Sequence, residues 1–230
     1  MEKIKGYIEL IKKLSEGDHI IFIKRKNWIK RFPELKSDII EWYKDDTIEI
    51  SRGELFELTE NKVTEEFVIK VLMWGYPTGG RGNNIKELLK RQNRKDIVTL
   101  LNKYKEKPFI KTEELKDGLE IKGLGLSTMS KFLYFLEIKI DNEHNRSVIL
   151  DQRIIDVVNS ELFTDFKDLK KITSYNAPTL YVKYLKKMKE IADDLEDCEV
   201  GQLEMFLFIF GNKFMLKLAH KLMPKTTEKG

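Results

Sequence analysis

Lys122-Gly123-Leu124-Gly125-Leu126-Ser127-Thr128-Met129-Ser130-Lys131-Phe132-Leu133-Tyr134-Phe135 sets two glycines one residue apart directly before a strongly apolar run. Glycines so placed supply positive φ or room for close backbone approach, so residues 121–125 read as a tight turn. Ahead of it, Thr112 is the expected cap of a short helix. Glu113 and Glu114 occupy its first turn, and Leu115 and Leu119 lie on one face. Behind it, Met129, Phe132, Leu133, Phe135 and Leu136 make a broad apolar face at helical spacing. Helix, glycine turn, helix leaves free backbone N–H groups at the start of the second helix, where the dipole favours an anion such as phosphate. The same spacing occurs in nucleotide-binding folds and in plain turns. It decides the local fold, and function needs a second signal.

That signal lies downstream. Ser147-Val148-Ile149-Leu150-Asp151-Gln152-Arg153-Ile154-Ile155 reads as a short extended apolar segment ending in a carboxylate, which caps a helix holding Ile154, Ile155 and Val158. Together the two stretches resemble the helix-hairpin-helix DNA glycosylases, in which an aspartate follows the hairpin after an apolar run. More narrowly, the run Ser130–Phe135 and the later Ile149-Leu150-Asp151-Gln152-Arg153 are similar to the prokaryotic 8-oxoguanine glycosylase group. The resemblance covers residues 112–211 and rests on two short motifs. It implies a mainly α, helix-hairpin-helix glycosylase-like bundle of two closely packed helical subdomains. Residues 1–223 would form a single unit, with the catalytic segment at 112–160 and a polar tail over 224–230.

The resemblance also implies roles. Asp151 would be the catalytic carboxylate. For the lysine nucleophile two registers compete. Counting from the glycines places Ser127 at that position, as in monofunctional relatives. Counting back from the aspartate places Lys131, twenty residues before Asp151, with Ser130-Lys131 standing for the family's Thr-Lys pair. We prefer Lys131. Lys122, Gly123, Gly125 and Ser127 would bind a backbone phosphate of double-stranded DNA carrying a modified base. The activity implied is removal of an oxidised purine of the 8-oxoguanine kind, with Schiff-base lyase action at the abasic site. One alternative is a monofunctional enzyme using Asp151 and water. Another is a hairpin that grips DNA without chemistry. No cofactor is implied beyond a monovalent cation that such hairpins hold through carbonyls, and a monomer is expected.

Composition sets bounds. A chain of 230 residues, 41% hydrophobic and 35% charged, suits a folded globular protein with one good core or two small packed ones. A net charge of +4 permits a nucleic-acid partner without demanding one. Cys198 stands alone, which excludes internal disulfides and a four-cysteine iron–sulfur cluster and suits a reducing compartment. There is no apolar run of the ~20 residues that span a bilayer, and Met1-Glu2-Lys3 does not open a signal peptide. A cytoplasmic protein, nucleoid-associated when on DNA and without a membrane partner, is expected.

Elsewhere helical periodicity dominates. Residues 3–15 carry Ile4, Tyr7, Ile8 and Ile11 on one face. Residues 19–32 are ambiguous: Ile20–Ile23 suits a strand, whereas Trp28, Ile29 and Phe32 keep helical spacing. Ser51 and Glu54 match a capping box. A helix over 64–74 leads into Gly75-Tyr76-Pro77-Thr78-Gly79-Gly80-Arg81-Gly82-Asn83-Asn84, an irregular loop expected to present Trp74, Tyr76 and Arg81. Those residues would wedge into a duplex or line a base pocket. The plainer reading is an inter-helix turn capped by Asn83 or Asn84. One helix is expected over 84–105, with Arg91, Arg94 and Lys95 on a solvated face, and others over 179–195 and 200–210. His144 falls in a polar loop, and no Cys or His has metal-ligand spacing.

Overall fold

Periodic apolar residues produce thirteen α-helices and one two-stranded antiparallel sheet in a computed structural model that describes residues 1–80, 82–169 and 171–222. The N-terminal part runs through α1 (Ile8–Ile11), β1 (Ile20–Lys24), α2 (Arg25–Arg31), α3 (Lys36–Trp42), β2 (Thr47–Ser51) and α4 (Arg52–Glu57). Next come α5 (Glu65–Gly75), α6 (Asn84–Leu88), α7 (Arg91–Lys105), α8 (Thr112–Gly118) and α9 (Leu126–Phe135). The C-terminal part holds α10 (Gln152–Asn159), α11 (Ala177–Asp194), α12 (Val200–Phe210) and α13 (Lys213–Leu222). The fold is mainly α, as the periodicity implies. No helix among the described residues is long and apolar enough to cross a membrane.

Three helices are apolar nearly all round and therefore run through the interior. Phe67–Trp74 of α5 are all buried, as are Thr128–Phe135 of α9 and Leu203–Leu207 of α12. The amphipathic α7, α10 and α11 cover them with one face each. The ambiguous stretch 19–32 resolves into both of its readings, strand β1 followed at once by α2. β1 pairs antiparallel with β2 in the register Ile20↔Ser51 to Lys24↔Thr47. Its alternation is that of a half-buried ribbon, with Ile23 inside and Phe22 outside.

Local chemistry explains where the expected boundaries hold and where they shift. Ser51 Oγ accepts from Glu54 N at 3.0 Å, but the Glu54 carboxylate turns away to Lys70 and Tyr43 instead of closing the box. The single helix expected over 84–105 is two, because the chain breaks at Leu89–Lys90 between α6 and α7. Thr112 is not the cap of α8. Its N–H and hydroxyl both donate to Asp141, and Lys111 holds the cap position with its N–H given to Glu114. Arg94 is not solvated either, since it pairs with Glu65 at 3.0 Å. The polar tail expected over 224–230 lies outside the described residues.

Candidate active site

Asp151 opens α10, and its Oδ1 accepts from Arg153 N at 3.0 Å and Ile154 N at 3.2 Å. Those bonds satisfy two of the helix's orphan donors and fix the carboxylate's orientation. The approach to Asp151 is an extended, buried segment whose backbone cannot pair with a sheet, so side chains take up its polar groups. Tyr181 donates to Val148 O at 2.7 Å and Tyr184 to Ile149 O at 3.1 Å. Leu150 N donates to Ser130 Oγ at 3.1 Å. Thus α11 and α9 together hold the three residues before Asp151.

Ser130 is followed by Lys131, so the helix that anchors the segment also carries the amine. Lys131 is 3% exposed, and its Nζ stands 3.3 Å from Asp151 Oδ2. The same ammonium donates to Ser127 O at 3.0 Å and lies 3.4 Å from Ser127 Oγ. Both candidates for the lysine position therefore meet at one point, a turn apart on α9. The aliphatic stem of Lys131 passes over Gly75, where a Cβ would come within 3.0 Å of Cδ and 3.1 Å of Cε. Burial pushes the Asp151 carboxyl up, but the Lys131 ammonium and the N–H groups of Ile154 and Arg153 outweigh it and hold its pKa below the ordinary carboxylate range. An amine, a charged carboxylate and a hydroxyl thus converge in a half-buried setting. Such a set can attack an electrophilic carbon, accept the proton released and stabilise developing positive charge.

The glycine turn lies at the other end of α9. Gly123 has φ +90° and sits so close to α6 that a Cβ would lie 2.8 Å from Asn84 O. Gly125 is the N-cap of α9 and faces open space. Lys122 is 77% exposed and 3.6 Å from Glu87. The carbonyls of Gly118, Ile121, Lys122 and Gly125 already accept hydrogen bonds within the chain. No group of three His, Cys, Asp or Glu that could hold a metal ion occurs among the described residues.

The loop after α5 borders the same site. Trp28 Nε1 donates to the carbonyls of Tyr76 and Pro77, both at 3.2 Å, and Tyr76 OH bonds Thr128 Oγ1 at 2.7 Å. The Tyr76 ring lies 5.8 Å from Lys131 Nζ. The expectation that the loop presents Trp74 is not met: Trp74 lies in the last turn of α5 and is 4% exposed, packed on Phe135 and His19. Arg81 lies outside the described residues. Sequence reasoning missed the bracing roles of Ser130, Tyr181 and Tyr184. The tyrosines' spacing on the core face of α11 was the available sign, since a buried phenol needs a partner.

A family model described as "Putative 8-oxoguanine DNA glycosylase OGG-like protein" matches residues 15–208, which include every part of this site. No curated protein and no solved structure matches the chain.

Proposed function

Because the chain belongs to this OGG-like family of DNA glycosylases, we propose that it excises an oxidised purine of the 8-oxoguanine kind from duplex DNA and cleaves the resulting abasic site through Lys131. Membership makes it a DNA glycosylase and DNA its partner. The finer reading rests on one observation, the 3.3 Å contact between the buried Lys131 amine and the Asp151 carboxylate.

Rupture of an N-glycosidic bond builds positive charge on the sugar, and a fixed carboxylate beside C1′ stabilises it. Asp151 supplies that charge and is placed to take a proton from Lys131. The freed amine attacks C1′, the C1′–N bond breaks, and the electron pair leaves with the base, which is protonated. The nitrogen lone pair then forms C1′=N as C1′–O4′ opens with a proton to O4′. Loss of a C2′ proton lets the 3′ phosphate leave by β-elimination, and water hydrolyses the imine. At the far end of α9, Lys122 and the backbone N–H groups around Gly123, Gly125 and Ser127 would grip a phosphate. Such contacts position the duplex without reading its sequence. Tyr76 would border the extruded nucleotide.

Ser127 beside Lys131 keeps a second reading in play, a water-using monofunctional enzyme. Borohydride trapping on 8-oxoguanine and abasic duplexes decides between them. An adduct with the parent that Lys131→Gln abolishes supports the lyase. Base release without an adduct, lost in Asp151→Asn, supports the monofunctional enzyme.

A further inference from the structure

We propose that His19 is the specificity-determining residue of this site, its imidazole reading the edge of the extruded base beside Trp74 and Phe208. The inference rests on the glycosylase reading and adds what that reading lacks, a group that tells an oxidised purine from an ordinary one.

Contacts close a circuit around the reacting pair. Lys131 packs on Gly75, and the preceding residue, Trp74, meets His19 edge to face with centroids 5.7 Å apart. His19 meets Phe208 in the same way at 5.2 Å. The Arg153 guanidinium covers Phe208 at 4.3 Å, and Arg153 N is bonded to Asp151, which returns to Lys131. His19 is rigidly set. Its carbonyl accepts from Arg52 N at 3.0 Å, and the turn before it is tied down by Glu16 to Tyr134 at 2.8 Å and to Arg146 at 3.0 Å.

Two polar atoms in this circuit have no partner. His19 Nδ1 and Trp74 Nε1 are shielded from solvent and make no hydrogen bond. Unpaired buried groups cost stability, and a merely structural position would be better served by phenylalanine. Both atoms are enclosed, so a base would complete them only by displacing the side chains that cover them. Burial, then the cations of Arg52 and Arg153, push the His19 pKa down to about 4, so the ring is neutral at physiological pH. A neutral imidazole offers one acceptor and one donor, and an indole offers a donor only. An acceptor and a donor on two touching rings complement an 8-oxopurine, which carries N7–H next to the C8 carbonyl. Guanine offers an N7 acceptor and a C–H there instead. A site whose polar groups would be stranded by the wrong base discriminates strongly.

The full chain and its His19→Phe and His19→Gln variants would be compared in two assays. The first is single-turnover excision from duplexes containing 8-oxoguanine, with borohydride trapping on abasic duplex, which has no base to read. His19→Phe should lower excision at least thirtyfold with trapping within twofold, and His19→Gln, which retains an acceptor and a donor, should recover part of the loss. Excision and trapping falling together, or neither falling, overturns the assignment. The second is binding of free 8-oxoguanine and guanine to the protein on an abasic-analogue duplex, followed by tryptophan fluorescence. The parent should prefer 8-oxoguanine, and His19→Phe should bind it at least tenfold more weakly. Should the parent release no base, the glycosylase reading fails separately. The second assay then still decides for His19: equal binding by parent and variant, or none by either, overturns it.

Discussion

Asp151 caps α10 and, in the proposed mechanism, also carries the catalytic charge, and substitution separates the two. Asparagine caps a helix about as well as aspartate but carries no charge, so Asp151→Asn should keep the start of α10 and lose the chemistry. Base release should fall on the order of 10²–10³-fold, the scale of losing one preorganised electrostatic partner. Asp151→Ala should lose the cap as well, at about 1 kcal/mol beyond the asparagine variant in urea unfolding. The sign of the pH dependence follows from the lowered carboxyl pKa. A group more acidic in the folded than in the unfolded state adds stability above its unfolded pKa, and loses it as pH falls through the folded one. The stability gap between parent and Asp151→Asn should therefore be full at neutral pH and narrow below about pH 4, measured by urea titration across that range. At this scale the sequence says most about Lys131 and Asp151, because their spacing of twenty residues is what the resemblance implies, against Ser127 when the count starts at the glycines. It is silent about His19, whose ring neighbours Trp74 and Phe208 lie far away in the chain.

The α8–α9 turn gives a test at the scale of an element, because its two glycines serve different ends. Gly123 is needed for the fold: φ +90° strains any side chain, and the space is taken by Asn84 O. Gly123→Ala should cost more than about 1 kcal/mol in urea unfolding. Gly125 has an ordinary φ of −85° and open space, so alanine there should cost only the cap difference, within about 1 kcal/mol. If a phosphate approaches that backbone, Gly125→Ala should still weaken duplex binding roughly tenfold, equivalent to about 1.4 kcal/mol. Equal affinity for parent and variant, titrated at one salt concentration, would move the phosphate elsewhere. Periodicity made these elements legible, and their ends were less so. The α6–α7 break has no proline or glycine to announce it, and Thr112 is drawn off its expected cap by Asp141, which only the folded chain brings near. Strand β2 was similarly hidden, since its five residues are a strand only because β1 lies beside them.

Across the whole molecule, one buried charge joins parts that the sequence keeps far apart. Arg52, at the start of α4, is fully buried, with Nη1 2.6 Å from Glu204 of α12 and 3.0 Å from Tyr134 of α9. Tyr134 passes the chain on to Glu16, and Glu16 to Arg146. Burial acts against the Arg52 charge, but Glu204 and then Tyr134 outweigh it and keep the guanidinium protonated. That cation also lies against Trp74 at 5.2 Å and Phe208 at 5.8 Å, so it backs the two rings that flank His19. None of this shows in a chain rich in charge of both signs, where one arginine among many looks solvated. A buried pair adds little over a well-packed apolar one, yet breaking it from one side strands a charge. Glu204→Gln should therefore lose about 3–5 kcal/mol in urea unfolding, whereas Arg52→Met combined with Glu204→Leu should recover much of that loss. The network stands behind Trp74 and Phe208 and not at Lys131, so the double variant should still form the Schiff base on abasic DNA while its preference among damaged bases weakens. A double variant that folds, traps and discriminates like the parent would leave the wall's geometry to apolar packing alone, and Arg52 without a part in shaping the site.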